Sequence, residues 1–114
     1  MKKRFLFAAL LFASCSTTSK QVSVLSVATP LPAGTTVEVM GAAQPVPTGA
    51  KYLGAVKIGD NMTAAKNCTY AKVVADAQDQ ARAMGGNMIQ IKKHIEPNAW
   101  STCHRIECDV YLLK

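Results

Sequence analysis

The segment Thr69 to Met84 places apolar residues at Tyr70, Val74, Ala77, Ala81 and Met84, stepping by three and four, with Lys72, Asp76, Asp79 and Arg82 elsewhere on the surface. That spacing predicts an amphipathic helix with one face to bury. Gly85-Gly86 marks its end, because glycine takes the left-handed cap conformation at little cost. The flanking segments read differently. Strands are expected over Thr35 to Met40 and over Tyr52 to Ile58, the latter with Tyr52, Val56 and Ile58 on one face, before a turn at Gly59-Asp60-Asn61. After the helix, Ile89, Ile91 and Ile95 oppose Met88, Gln90, Lys92 and His94. In His104 to Leu113, Ile106, Cys108, Val110 and Leu112 alternate with Arg105, Glu107 and Asp109. Period-two alternation of this kind is the pattern of a half-buried strand. The expected fold class is therefore α+β: a small, largely antiparallel sheet in the order β-β-α-β-β with one helix packed on one face.

The N-terminus is different in kind. Met1-Lys2-Lys3-Arg4 is a charged leader, the eight residues Phe5 to Phe12 are apolar, and Ala13-Ser14 are small. This is the order of a secretory signal peptide, and the apolar run is far short of the roughly 20 residues of a spanning helix. Leu11-Phe12-Ala13-Ser14-Cys15 resembles the bacterial lipobox, with Phe12 where leucine is usual, which implies a signal peptide over 1–14 and lipidation of Cys15. Each buried methylene of an acyl chain contributes about 0.8 kcal/mol, so two or three chains hold a protein on a membrane. Residues 16–34 are rich in Ser, Thr, Val and Pro. Together with Cys15 they are read as a tether, with an edge strand through Val22 and Val24 as the alternative, leaving a domain over 35–114.

Charge and composition exclude several functions. Loss of residues 1–14 takes three positive charges from the formal +6 and leaves +3. Lys92-Lys93 is the longest remaining basic run, too short for a nucleic-acid footprint. Two histidines and seven acids are present, the acids mostly on polar faces, and no phosphate-cradling glycine loop opens a helix. The sequence thus advertises no enzyme and implies no cofactor.

Cys68, Cys103, His104 and Cys108, with His94, form the one cluster of soft metal ligands, and Cys103 to Cys108 has a spacing near that of metal knuckles. No second close pair completes it. The simpler arrangement has Cys103 in a bridge, Cys108 as a buried thiol on the Ile106 and Val110 face, and His94 solvated on the opposite side. With Cys15 lipidated, three cysteines allow one disulfide and one odd thiol in an oxidising envelope. Trp100, beside Pro97 in a loop, either contacts a partner or folds back over a thin core. Lys92 and Lys93 are either partner contacts or a solvated strand edge.

Leu53-Gly54-Ala55-Val56 before Cys68, the helix alanines Ala71, Ala75, Ala77 and Ala81, Gly86-Asn87-Met88-Ile89, and two cysteines before the last strand resemble the RcsF family of outer-membrane lipoproteins. That family senses envelope stress through a phosphorelay. The resemblance covers about 60 residues of the 114, plus the lipobox. It implies a Cys68–Cys103 disulfide. The family's second bridge would need a cysteine where this chain has His94, which leaves Cys108 unpaired. The expected function is a non-enzymatic, lipid-anchored envelope module, protein-binding or stress-sensing. It would be held on the outer membrane facing the periplasm, since Ser16 carries no acidic retention signal. The alternative is a metal- or small-ligand-binding module built on the Cys/His cluster.

Overall fold

The computed structural model describes residues 19–26, 28–59, 68–99 and 103–114. Cys15 and Trp100, singled out in the sequence, lie outside them, as does the expected turn at Asp60-Asn61. The elements are β1 (Ser19–Val24), β2 (Glu38–Met40), β3 (Lys51–Gly59), α1 (Tyr70–Met84), β4 (Met88–Ile95) and β5 (Arg105–Leu112). They form an α+β fold with one five-stranded sheet, ordered β1-β3-β5-β4-β2, and one helix. Every pairing is antiparallel except β2 with β4, which is parallel over three residues. β3 and β4 run the same way with β5 between them, so α1 forms a split β-α-β crossover above β5. Among the described residues, no helix is long and apolar enough to cross a membrane.

The fifth strand corrects the tether reading of residues 16–34. Ser19 to Val24 pair antiparallel with Gly59 to Gly54 of β3. The chain then runs back over the helix, where the Leu31 amide donates to the Arg82 carbonyl at 2.8 Å, and Arg82 Nε donates to the Thr35 carbonyl at 2.6 Å. Composition suggested a linker because Ser and Thr dominate the segment. An edge strand needs only one protected ladder, however, and Val22 and Val24 remain partly exposed on it. The folded domain therefore begins at or before Ser19, not at Thr35. The first expected strand is also shorter than its β-branched run, since only Glu38 to Met40 find a partner.

The helix begins at Thr69, whose hydroxyl accepts from the Lys72 amide at 3.2 Å. It ends at Gly85, with φ of 90°, and the Gly86 amide returns to the Ala81 carbonyl at 2.8 Å. Its buried line is Val73, Ala77, Ala81 and Met84, with Asp76 beside it. The expected stripe is thus rotated, because Val73 is fully buried while Tyr70 is exposed and Val74 half-buried. Two alanines at the centre of that line bring the helix axis close to the sheet. Beneath lie Val56 and Ile58 of β3, Ile89 and Ile91 of β4, and Ile106, Cys108 and Val110 of β5.

Two register shifts break the strict alternation. In β3 the ladder slips between Tyr52 and Gly54: Tyr52 pairs with Tyr111, yet Val56 pairs with Cys108. Cα partners share a face, so Tyr52 lies opposite Val56 and Ile58 instead of beside them, and Leu53 becomes fully buried. Met88 and Gln90, expected on a solvated face, are also buried. The loop after β2 covers Gln90, whose side-chain amide donates to the carbonyls of Gly41 at 3.2 Å and Gln44 at 2.7 Å.

At Gly86 the strand leaving the helix passes so close to β5 that a Cβ would overlap a Val110 methyl and the Tyr111 carbonyl. Gly86→Ala is expected to lower unfolding free energy by about 1–3 kcal/mol, the usual cost of overpacking a tight core. Urea denaturation with the disulfide intact measures it. A change within experimental error would mean that the contact can open without cost.

Candidate functional site

The second register shift builds the site. β4 slips between Ile91, paired with Cys108, and Lys93, paired with Glu107, so that His94 pairs with Ile106. The extra residue, Lys92, turns His94 to the face that carries Ile106 and Cys108. This corrects the expectation that His94 lies opposite the isoleucines on the solvated side. The side chain nevertheless remains exposed, because it projects beyond the N-terminal end of α1.

There it meets His104, the residue before β5. His94 Nε2 lies 2.9 Å from His104 Nδ1, with the rings nearly parallel at 24°. Tyr70, in the first turn of α1, packs its ring on both: 4.5 Å between centroids to His94 and 5.9 Å to His104. Tyr70 was assigned to the core by helical spacing, and its exposure reflects this second role. The His104 backbone amide donates to the Cys68 carbonyl at 3.1 Å, and the neighbouring Cys103 is bonded to Cys68. Helix entry, disulfide and histidine pair are thus fixed to one another. One ring nitrogen of the pair must donate and the other accept, so at least one imidazole is neutral while the bond holds.

The thiol ligand set considered in the sequence does not assemble. Cys68 and Cys103 are spent in the disulfide, and Cys108 is a free thiol buried in the core. Burial first, and the Asp109 carboxylate second, push the Cys108 thiol up to about 12. Of that set only His104 remains an available ligand, and its companion is His94. Among the described residues, no group of three or more His, Cys, Asp or Glu side chains gathers as a metal cage.

Lys92 and Lys93 are exposed, and with Tyr70, His94 and Val39 they border an open cavity of about 320 Å³ between β2, β4 and α1. The helix ions form pairs: Lys72 with Asp76 at 2.6 Å and Arg82 with Asp79 at 2.7 Å. Asp76 is buried rather than solvated, so the first pair also neutralises a charge at the helix–sheet boundary. On the far face of the sheet, the Tyr52 and Tyr111 rings pack with centroids 5.6 Å apart and planes tilted by 60°. Desolvation, then Asp109, raises both phenols above their usual value, so they remain neutral hydrogen-bonding groups at physiological pH. Lys57, Glu107 and Lys93 continue that face as a row of alternating charge across three strands.

Two outcomes check this arrangement. The disulfide closes a loop of sequence separation 35, so Cys68→Ser with Cys103→Ser is expected to cost about 4 kcal/mol in urea denaturation. Iodoacetamide at about pH 8 is expected to leave Cys108 unmodified in the folded chain and to alkylate it in denaturant, read by mass spectrometry. Because folding raises this thiol from 9.0 to about 12, its protonated form stabilises the fold fully below pH ~9, and that contribution is lost as pH rises towards 12. Cys108→Ala should flatten the alkaline limb.

No protein-family model matches the chain, and neither does any curated protein. Among solved structures, the orthorhombic crystal form of FvfA, a Francisella virulence factor, is similar in fold, with a TM-score of 0.53 at 15% identity. The match covers 84% of this chain and 97% of that one. The likeness therefore spans nearly the whole of FvfA and is one of fold.

Proposed function

We propose that this chain is a non-enzymatic, lipid-anchored module of the cell envelope, resembling the RcsF family, whose folded domain binds another envelope protein. The observation that carries the reading is the Cys68–Cys103 disulfide. A structural disulfide belongs to an oxidising compartment, and it stands in a chain that opens with a charged leader, an apolar run and Ala13-Ser14-Cys15. Outer membrane, facing the periplasm, is the destination that follows from Ser16 after the lipidated cysteine. With β1 beginning at Ser19, three residues separate Cys15 from the sheet, so the domain would lie directly against the lipid surface. That proximity favours a partner in or on the same membrane.

The far face of the sheet supports protein binding as the activity. Tyr52 and Tyr111 form an aromatic pair with neutral hydroxyls, rimmed by the charged row through Glu107, and a tyrosine cluster with a charged rim is the usual composition of a contact surface. Lys92 and Lys93 extend the exposed basic edge. The metal-module alternative loses its thiol ligands to the disulfide and the core.

In native envelopes the mature chain is expected to carry acyl groups on Cys15 and to need detergent for release, whereas Cys15→Ala should appear in the soluble periplasmic fraction. Intact mass and fractionation measure both. A photocrosslinking residue at Tyr52 is expected to give one discrete adduct that disappears in the Cys68→Ser, Cys103→Ser variant. An unacylated, freely soluble wild-type chain would overturn the anchor, and crosslinking indifferent to folding would overturn the binding role.

A further inference from the structure

The geometry points to a bis-imidazole site for a late transition metal, Cu²⁺ foremost, formed by His94 Nε2 and His104 Nδ1 at the N-terminal end of α1. It does not rest on the lipid anchor or on the partner surface.

Separation is the first argument. Two nitrogens each about 2.0 Å from one metal lie about 2.8 Å apart at a right angle and about 3.3 Å apart at the tetrahedral angle. The observed 2.9 Å is the right-angled spacing, which square-planar or tetragonal Cu²⁺ and Ni²⁺ prefer and Zn²⁺ does not. The hydrogen bond points both nitrogens along the line between them, whereas a shared ion sits to one side of it, so admitting an ion requires each imidazole to pivot outward by about 45°. Both side chains reach solvent.

Preorganisation is the second. His94 is held by the β4 bulge and by the Tyr70 ring, and His104 by its backbone bond to Cys68 beside the disulfide. The two residues are thus held beside each other before metal arrives. Each ring can present the required lone pair once the proton shared in the N–H···N bond moves to the other nitrogen of its own ring, an exchange that water at this exposed site carries out.

The surroundings select the metal. Lys92 and Lys93 add positive charge nearby, which disfavours hard cations such as Ca²⁺ or Mg²⁺, held mainly by charge. Cu²⁺, bound through nitrogen affinity at the top of the divalent series, tolerates that field better. Among the described residues, no further His, Cys, Asp or Glu joins the pair to make a cage, so the remaining positions are left to water. With Cys68 and Cys103 oxidised and Cys108 buried, no thiol of the described residues competes for the metal.

The test titrates Cu²⁺ alone into the full disulfide-bonded chain near neutral pH, followed by electron paramagnetic resonance and isothermal calorimetry. The expected result is one Cu²⁺ per chain, with superhyperfine splitting from two imidazole nitrogens and affinity in the order Cu²⁺ above Ni²⁺ above Zn²⁺. His104→Ala and His94→Phe should each weaken Cu²⁺ binding at least about tenfold. The phenylalanine retains a ring against Tyr70, and circular dichroism of both variants identifies any that fail to fold. Wild-type binding without nitrogen splitting, or equal to that of a folded His94→Phe chain, would overturn the site and leave the pair as a hydrogen bond only.

Discussion

The structure depends on the close packing of α1, and of the Gly86 turn that follows it, against the sheet. Ala77 and Ala81 lie where the helix crosses the middle of the sheet, and Gly86 lets the chain turn back against Val110 without a side chain between. A thin domain of this length has few large residues to bury. It compensates by density: small residues on the helix, Ile and Val on the strands, and a thiol, Cys108, serving as a small hydrophobe within the same cluster. Any enlargement on that line would lift the helix and loosen β3, β4 and β5 together.

That central contact also orients everything at its two ends. At the C-terminal end of the helix, Gly85 and Gly86 hand the chain into β4, and the segment from Ala28 to Thr35 closes over the last turn through Leu31 and Arg82. At the N-terminal end the disulfide joins the residue before the Thr69 cap to the start of β5. The histidine pair occupies the seam between those two anchors. Its exposure is a consequence of the core ending there: Tyr70 is the first helical residue, and what β4 and the start of β5 present to it are the His94 and His104 rings rather than aliphatic side chains.

The fold class, the helix with its glycine stop and the last strand were legible because each follows one uninterrupted period. What escaped reading follows from departures in that period. Lys92, Lys93 and His94 are three polar residues in succession, too many for strict alternation, and that excess is the local trace of the bulge. Read with period two, the same residues place His94 on the wrong face. Tyr52 is misplaced for the same reason, since Leu53 supplies the extra residue in β3. Gln90 is buried by a proline-containing loop from elsewhere in the chain, a tertiary contact with no local signature. Strand β1 was hidden by composition: Ser, Lys and Gln suit a solvated edge as well as they suit a linker.

These departures gather on β4, and that is physically coherent. Beyond Gln90, β4 has no β2 partner, so the bulge at Lys92 disturbs only its ladder with β5. The bulge converts a surplus of polar residues into two different surfaces: Lys93 joins the charged row of the far face, while His94 crosses to the helix side and meets His104. One inserted residue therefore separates a surface suited to a protein partner from a nitrogen pair suited to a metal. If Lys92 took a paired position and period two ran unbroken, His94 would fall on the far face; deleting Lys92 instead leaves Ile91, Lys93 and His94 in strict alternation opposite Cys108, Glu107 and Ile106, so both surfaces persist.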